Sequence, residues 1–429
     1  MSDDVACASV STVLNVCDES RILLRTRSER ALDAVTFFLA DVADGLGPFL
    51  VIDLTTRRGW TSSQAGLAMA SLLVGTVATQ TLTGAWIDST AHKRRAIVAA
   101  ALLVALASIA LFFANTPVLV CLLQGMTGIA VTIFPPAIAA ISLGLVGRAR
   151  LPSRAGRNEA CFHAGNVVSS ILAILLHRIF GPIGIFLGVA AMALASASSA
   201  LFLRESDIDH ALARGADRDT GNGGLHDPEI ASLKTLLRDK RILSFAAAVV
   251  LFHFANAAML PLVGQKLAHR SPANAPALMA VCIIVAQIAM IPVALLASRA
   301  AAFGRRPIFL VGFAVLLIRG ILSTWSDAPQ WLVANQILDG VGAGIFGVMS
   351  LLVMADLTRG TGRFNFAQGL VATAIGLGAA ASNFVTGLIV DRSGYDAGFL
   401  FLTGIAVTAA VVFAVTVPET TGASSDATQ

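Results

Sequence analysis

Seven long stretches of this sequence contain no Lys, Arg, Asp or Glu. Each exceeds the roughly 18 apolar residues that mark a helix able to cross a lipid bilayer. Inside a bilayer only helices and closed barrels satisfy every backbone N–H and C=O group, and continuous apolar runs are typical of helices. The sequence therefore predicts an all-α membrane protein. The stretches are 59–87, 96–147, 179–203, 242–265, 271–298, 364–390 and 397–418.

The composition excludes a set of soluble domains. Of the 429 residues, 56% are apolar and only 13% are charged, against roughly 45 to 50% and about 25% in soluble domains. The net charge of +4 comes from basic residues in loops, so we expect no nucleic-acid partner. The five cysteines form no disulfide framework and no zinc-binding pattern, and we expect no cofactor other than a coupling proton.

Turn signals divide the apolar sequence into twelve predicted helices. The run 96–147 is too long for one crossing, and Asn115-Thr116-Pro117 marks its turn. Gly181-Pro182 separates the fifth helix from the sixth. The helices are predicted at about 31–54, 62–87, 96–114, 117–146, 158–178, 181–203, 242–264, 276–303, 307–325, 328–356, 365–390 and 396–418.

The basic residues predict the orientation of the chain. With an even number of spans, 23 of the 30 Lys and Arg residues fall on the side of the N-terminal tail and 6 on the other, with Arg319 inside a span. Cytoplasmic loops carry an excess of Lys and Arg. We therefore expect an integral protein of the inner (cell) membrane with both termini in the cytoplasm.

The longest polar segment divides the apolar chain into six helices and six. We expect a cytoplasmic tail, a six-helix bundle, a linker, a second bundle and a C-terminal tail at 1–30, 31–203, 204–241, 242–418 and 419–429. In the linker, the sequence ARGADRDTGNGG is typical of a flexible segment. The sequence that follows Asp227-Pro228-Glu229 predicts an amphipathic helix on the membrane surface.

The two halves carry related sequences, which indicates an internal repeat. LLQGMTGIAV, from Leu122, aligns with ILDGVGAGIF, from Ile337, and places Gly125 opposite Gly340. GRNEACFHAGN and GRFNFAQG each open a helix after a basic loop. We expect Gly125 and Gly340 to allow close helix packing.

The loop after the second helix resembles the signature of the major facilitator superfamily, G-x-L-a-D-r-x-G-r-[RK]. Gly84, Asp88 and Lys93 match it, followed by Arg94, whereas Ser89, Ala91 and His92 depart from it. A weaker copy after the eighth helix retains three matching residues, Gly304, Arg305 and Arg306. With twelve helices and a six-six division, the resemblance covers nearly the whole chain.

The resemblance implies two six-helix bundles with pseudo-two-fold symmetry that rock about a central site. The residues of the two loop motifs are then expected to form a gate on the inner side. Asp88, at a helix end, can accept hydrogen bonds from the N-terminus of a neighbouring helix or pair with Arg. The Arg of the family's fourth helix is replaced by Cys121, and the proline-glycine pattern of drug antiporters is missing from the fifth.

In this fold the first, fourth, seventh and tenth helices are expected to line the cavity. Asp41 and Asp44 lie three residues apart on one helical face. Placing a carboxylate inside the bilayer costs free energy, so both residues are candidates for function. Carboxylate and imidazole groups exchange protons as their surroundings become wet or dry. The candidates for proton coupling and substrate contact are Asp41, Asp44, Gln124, His253, Asn256, Gln336 and Asp339.

Some of these residues also have structural interpretations. Asp44 can cap a broken helix, and His253 can be a neutral imidazole inside a bundle. Arg319 and Asp339 lie at similar depths on adjacent helices, which predicts a buried structural ion pair. Glu159 and His163, near the inner end of the fifth helix, fit a gating or packing role as well as a chemical one.

The function expected is secondary transport of a small organic molecule by alternating access, coupled to protons, with export favoured over import. A monomer suffices, since two bundles in one bilayer-spanning chain enclose the site. An alternative is export of a divalent metal ion bound by Asp41 or Asp44 with His253. An intramembrane enzyme or receptor is a distant third, because the sequence has no HExxH, GxSxG or P-loop motif.

Overall fold

The structure is a computed structural model, and it describes residues 27–40, 42, 50, 53–60, 62–216, 232–270 and 274–420. Within these residues the regular structure is helical. Eight of the described helices are long and apolar enough to cross a membrane. Two of the eight fold back on themselves, since the helices Phe134–Phe180 and Phe364–Thr416 are interrupted at Gly147 and Gly394, where φ is 72° and 82°. Glycine adopts such a positive φ without a steric penalty.

The two reversals divide these eight spans into ten helices, and with the helices 27–40 and Arg305–Leu322 the described segments are consistent with the twelve predicted helices. In the N-terminal half they are α1 (27–40), α2 (Ser62–Ser89), α3 (Lys93–Phe113), α4 (117–146), α5 (148–180) and α6 (Ile183–Leu201). In the C-terminal half they are α7 (240–270), α8 (Ala275–Ala300), α9 (Arg305–Leu322), α10 (329–357), α11 (364–393) and α12 (395–416).

Local sequence explains several helix ends. The Thr116 hydroxyl accepts a hydrogen bond from the N–H of Leu119, and Pro117 occupies the first turn of α4, where its missing N–H costs nothing. Asp239 caps α7 through the N–H of Arg241. The turn after α5 uses Gly181 at φ 69°, as its Gly-Pro sequence predicts.

The helices form two bundles with separate hydrophobic cores. One core lies wholly in the N-terminal half, where α2 packs on α4 and α3 packs on α6. The other lies mainly in the C-terminal half and contains a cluster of stacked and edge-on phenylalanines. The cluster includes Phe252, Phe309, Phe313, Phe346 and Phe413.

The repeated glycines occupy equivalent places in the two halves. The carbonyl of Gly125 in α4 lies against Gly75 of α2, where a Cβ atom would come within 2.5 Å of it. A Cβ atom on Gly340 in α10 would come within 2.5 Å of the Ala286 carbonyl in α8. Each pair joins the fourth helix of a half to its second helix, as expected for a duplicated fold.

Two helix pairs make most of the described contacts between the bundles, α2 with α11 and α5 with α8. These are the second and fifth helices of each half, so the two seams are related by the repeat. A Cβ atom on Gly84 would lie 2.2 Å from the Asn365 carbonyl, and one on Gly156 would lie 2.5 Å from the Ser298 Cβ. Both contacts lie toward the face that carries the central linker, called the linker side below. The bundles are therefore closed against each other on that side.

The linker and the first helix differ in part from the predictions. Residues 205–216, expected to be partly flexible, form short helical turns, Glu205–Asp207 and His210–Ala213, and several of their side chains are buried. Residues 217–231 lie outside the described residues, and the described part of the predicted amphipathic helix contains one helical turn, Leu233–Leu236. In the first helix, residues 27–30, which precede the predicted start at 31, are already helical.

Candidate functional site

A central cavity of about 440 Å³ lies between the two bundles. Its wall is formed by three helices of each half, α1, α4 and α5 with α7, α10 and α11. The prediction named the first, fourth, seventh and tenth helices, and the fifth helix of each half is an addition. Most of the wall is apolar, with aromatic rings from Phe134, Phe162, Phe252 and Phe346. A largely apolar wall with a few polar groups is typical of a small-molecule site.

Glu159 and His163 provide titratable groups on this wall. They are one helical turn apart on α5, with the His163 Nε2 atom 3.6 Å from the Glu159 carboxylate. The His163 Nδ1 atom lies 2.6 Å from the Gln287 Oε1 atom of α8, so this imidazole contacts the opposite bundle. The Glu159 carboxylate reaches Gly347 of α10, where a Cβ atom would lie 2.6 Å from it. Both side chains therefore contact both the cavity and the seam between the bundles.

These two residues are the main members of the wall that the sequence analysis did not assign to the cavity. Their spacing of four residues on one helix was a signal that both face the same way. The lining by α5 depends on the rotation of that helix, which the sequence pattern alone does not reveal.

A partly buried ionic network fixes α5 on the linker side of Glu159. Arg154 and Arg157 each lie 2.5 Å from an oxygen of Asp33 in α1. Arg154, which is almost fully buried, also donates to the Asn158 Oδ1 atom, and Asn158 donates to the Ser142 hydroxyl of α4. This network ties three helices of the N-terminal bundle together and positions the α5 face that carries Glu159.

His253 and Asn256 are on the wall, as predicted. The His253 ring lies edge-on to Phe346 at 4.6 Å and next to Phe252. Its buried Nε2 atom has no hydrogen-bond partner among the described residues. Asn256 accepts a hydrogen bond of 2.7 Å from Arg319, which connects the wall to a buried network behind it.

That network contains the predicted ion pair. Arg319, almost fully buried in α9, lies 2.8 Å from Asp339 of α10 and donates to the Gln336 Oε1 atom at 3.0 Å. Gln336 and Asp339 do not line the central cavity, contrary to expectation. Their side chains instead bind Arg319 between α9 and α10. Gln124 is also absent from the wall, because it packs toward Met69 of α2.

The remaining cavity candidates, Asp41 and Asp44, lie outside the described residues. The metal-binding alternative that combines them with His253 is therefore not tested by the geometry. Within the described residues there is no group of three or more His, Cys, Asp or Glu side chains placed to hold a metal ion.

Below the cavity, Asp88 at the end of α2 contacts the N-terminus of α11. Its carboxylate accepts hydrogen bonds from the backbone N–H groups of Asn365 and Phe366 at 3.0 and 2.8 Å, and from the Asn365 side chain at 2.8 Å. Negative charge at a helix N-terminus is favourable, and this contact joins the two bundles. Nearby, Lys93 is buried and donates to the Thr90 carbonyl, and Arg94 donates to the Leu203 carbonyl.

The copy of this motif in the C-terminal half makes its contacts within its own bundle. After Gly304, at φ 121°, Arg305 pairs with Asp356 of α10 at 3.2 Å, and Arg306 donates to the Ala414 carbonyl of α12. Glu419 accepts hydrogen bonds from the backbone N–H groups of both arginines. Among the described residues the two loop motifs are therefore asymmetric, since the hydrogen bonds of Asp88 join the bundles and those of Arg305 and Arg306 stay within one bundle.

The sequence matches the family model described as the Major Facilitator Superfamily over residues 33–302 and 293–429. This chain belongs to the major facilitator superfamily. An uncharacterized MFS-type transporter of Mycobacterium tuberculosis, found in strains CDC 1551 / Oshkosh and ATCC 25618 / H37Rv, is 46% identical to it over 395 residues. The alignment covers 92% of this chain and 94% of that protein.

Solved structures of the family share the fold. The crystal structure of the human organic anion transporter MFSD10 (TETRAN) aligns with a TM-score of 0.63 and 16% identity, covering 92% of this chain and 99% of that one. The MFS proton:xylose symporter XylE, bound to 6-bromo-6-deoxy-D-glucose, aligns with a TM-score of 0.66 and 14% identity, covering 94% and 96%.

Family membership confirms the coarse predictions. The chain is an all-α, multi-pass membrane protein with the fold of a transporter, and its relatives are transporters rather than enzymes. Transporters of this family bind small molecules within the membrane.

Proposed function

We propose that this chain carries a small organic molecule across the membrane by alternating access, in exchange for protons, and in the direction of export. The observation that carries the proposal is the central cavity, which lies between two bundles that are joined on the linker side. In this arrangement a molecule bound in the cavity becomes accessible from the linker side of the membrane when the seams on that side open.

The shape and chemistry of the wall favour an amphiphilic compound. Four aromatic rings surround the cavity, while Glu159 supplies a negative charge when ionised. A weakly basic organic molecule can pair with that carboxylate and bury its apolar part against the rings. The likeness to MFSD10 and XylE concerns the fold, so their anionic and sugar substrates are not carried over to this chain.

Proton coupling is assigned to the titratable groups of the cavity. Glu159 and His163 are the pair with described geometry, and Asp41 and Asp44 remain candidates from the sequence. A carboxylate that binds a proton when the substrate leaves, and releases it when the substrate returns, couples the two movements. Because Glu159 and His163 also contact the α10 and α8 helices, their protonation can change the packing of the bundles.

The orientation follows from the charge distribution, with the linker side in the cytoplasm of the cell, at its inner membrane, and both termini on that side. With that side closed, the structure corresponds to an outward-facing or occluded state. A single chain encloses the cavity, and we propose that it works as a monomer.

Export of a divalent metal ion receives no specific support from the described residues. Among the described residues, the ring contacts of His253 are with Phe252 and Phe346, and no group of three metal-ligating side chains is present. The transport assay below therefore includes metals as a separate class of compound.

The test uses purified protein in proteoliposomes that contain a pH-sensitive dye, with lipophilic amines, organic acids, pentoses and divalent metals added in turn. We expect proton movement with lipophilic amines, and its loss in Glu159→Gln. Asp391→Asn is the matched control, since this exposed carboxylate at the far end of α11 does not line the cavity. Proton movement with metals alone, lost in Asp44→Asn and His253→Ala, would instead establish the metal exporter.

Solute uptake measured in parallel separates coupling from transport. If a compound moves without protons in both wild type and Glu159→Gln, transport stands and the coupling assignment is wrong. If no class of compound moves in the wild type, the proposed substrate class is wrong.

A further inference from the structure

The first part of the central linker, residues 208–216, lies between the two bundles on the linker side. We call this segment the latch. Its last four residues, 213–216, open the sequence ARGADRDTGNGG, which predicts a flexible segment, yet Ala213 and Ala216 are buried, as is Ile208. Asp209 caps the helical turn His210–Ala213 by accepting hydrogen bonds from two of its N–H groups.

On one side the latch contacts the end of α4 in the N-terminal bundle. The Asp209 N–H donates to the Gly144 carbonyl at 3.0 Å. Gly144 provides the space for this contact, since a Cβ atom there would lie 2.9 Å from both the Asp209 carbonyl and the Ile208 side chain. The latch therefore satisfies a carbonyl in the last turn of a helix, a group that the helix itself leaves unpaired.

On the other side the latch contacts the start of α11 and the loop before it, in the C-terminal bundle. The Arg214 carbonyl accepts from the Phe364 N–H at 3.1 Å, and the Gly215 carbonyl accepts from the Gly360 N–H at 2.7 Å. The Ala213 carbonyl accepts from the side chain of Asn365 at 3.0 Å. Asn365 also donates to Asp88, so the latch and the α2–α11 seam share a residue.

Arg148, at the start of α5, completes the connection between the bundles. Its guanidinium donates to the Gly215 carbonyl of the latch at 2.9 Å and to the Ala355 carbonyl of α10 at 2.8 Å. The latch is thus hydrogen-bonded to both bundles at the side where the seams are closed.

We propose that the latch is a releasable lock, which holds the linker side closed by bridging α4 to α11 and must leave one of them before that side can open. Opening separates the N-terminal bundle from the C-terminal bundle, and the latch cannot keep its backbone contacts to both. The proposal concerns the conformational equilibrium of the fold and does not depend on the substrate or on proton coupling.

The first test weakens the latch by changing one backbone position. Gly215 has a φ of 86°, and a Cβ atom there would lie 3.0 Å from the Phe364 Cβ, so Gly215→Ala strains the docked segment. Gly181→Ala is the matched control, with a φ of 69° and no neighbour within 4 Å. A left-handed residue other than glycine carries a steric penalty equivalent to about a tenfold shift of an equilibrium.

The readout is alkylation of a cysteine introduced at Ala213, in full-length protein whose native cysteines have been replaced. We expect Ala213→Cys to be alkylated slowly in the otherwise unchanged protein. Its alkylation rate should rise about tenfold when Gly215→Ala is added and should not change when Gly181→Ala is added. Ser206→Cys, at an exposed position, gives the alkylation rate of a solvent-accessible thiol. If Ala213→Cys reacts as fast as Ser206→Cys in the otherwise unchanged protein, the segment is not docked and the proposal is wrong.

The second test asks whether release of the latch opens the linker side. Spin labels at Ala91→Cys and Ala302→Cys, both exposed and one on each bundle, report the distance across that side. We expect Gly215→Ala to increase the population of longer distances. Gly144→Ala acts from the α4 side and should do the same, so a folding failure of one variant leaves the other. An unchanged distance distribution together with faster alkylation would show that the segment docks without locking the bundles.

Discussion

The carboxylate of Asp88 accepts three hydrogen bonds from Asn365 and Phe366, so a side chain of the N-terminal bundle caps a helix of the C-terminal bundle. Asp88→Asn removes the charge from these bonds. Hydrogen bonds to charged groups contribute about 1.5 to 3 kcal/mol, about twice the contribution of neutral ones. We expect the variant to shift the protein toward longer distances between the labels at Ala91→Cys and Ala302→Cys.

Asp239→Asn is the control for this substitution. Asp239 also caps a helix N-terminus on the linker side, but that helix, α7, belongs to its own bundle. We therefore expect no change in the distance between the bundles. An equal shift in both variants would mean that loss of a cap, rather than loss of a contact between bundles, is responsible.

Gly84 allows the closest described approach of α2 to α11. A Cβ atom there would lie 2.2 Å from the Asn365 carbonyl, which is too close for any side chain. Gly84→Ala should therefore prevent full closure of the linker side, and it should make Ala213→Cys more reactive because the latch loses its site. Gly66→Ala lies on the same helix with no neighbour within 4 Å and should leave the alkylation rate unchanged. A closed, unreactive Gly84→Ala protein would contradict this account of the seam.

Much of the architecture could be predicted from the sequence, because uncharged runs, turn residues and repeated glycines determine the structure of the chain close to where they occur. The turn at Asn115-Thr116-Pro117 and the reversal at Gly181 are examples. The expectation that Asp88 accepts from the N-terminus of a neighbouring helix also agrees with the geometry. Its partner, Asn365, was not identifiable, since the contact depends on how two bundles meet.

The residues of the site were harder to predict from the sequence, for physical reasons that differ between residues. Gln336 and Asp339 were assigned to the cavity by helix number, but their orientation is determined by the buried charge of Arg319. The position of Glu159 on the cavity wall depends on the rotation of α5 about its own axis, which the sequence pattern does not reveal. Residues 213–216 of the latch were expected to be flexible from their composition, yet the backbone groups of the latch pair with the unsatisfied ends of α4 and α11.

The Arg319–Asp339 pair is expected to maintain stability. Asp339→Asn leaves a buried guanidinium without its counter-charge, and breaking a buried ion pair on one side typically costs about 3 to 5 kcal/mol. We expect a clearly lower melting temperature in detergent. The double variant Arg319→Leu with Asp339→Leu removes both charges and should recover part of the loss. A normal melting temperature for Asp339→Asn, combined with loss of transport, would instead assign the pair to the transport cycle.

The latch also contains His210, which should make its docking depend on pH. Burial lowers the pKa of His210, and positive charge on Lys93 and His92 lowers it further, while Glu205 and Asp209 act in the opposite direction. The docked segment thus binds a proton less readily than a free histidine, whose pKa is about 6.5. Docking is therefore strongest above about pH 6.5 and is lost progressively as the pH falls from there toward the lowered pKa.

Alkylation of Ala213→Cys between pH 8 and pH 5.5 measures this dependence, once each rate is divided by that of the exposed Ser206→Cys to remove the titration of the thiol itself. We expect the normalised rate to rise on acidification, because protonation of His210 favours the undocked segment. His210→Gln cannot take up the proton, so the rise that is due to His210 should be lost. The same acid response in His210→Gln would place the sensitivity elsewhere on the linker side.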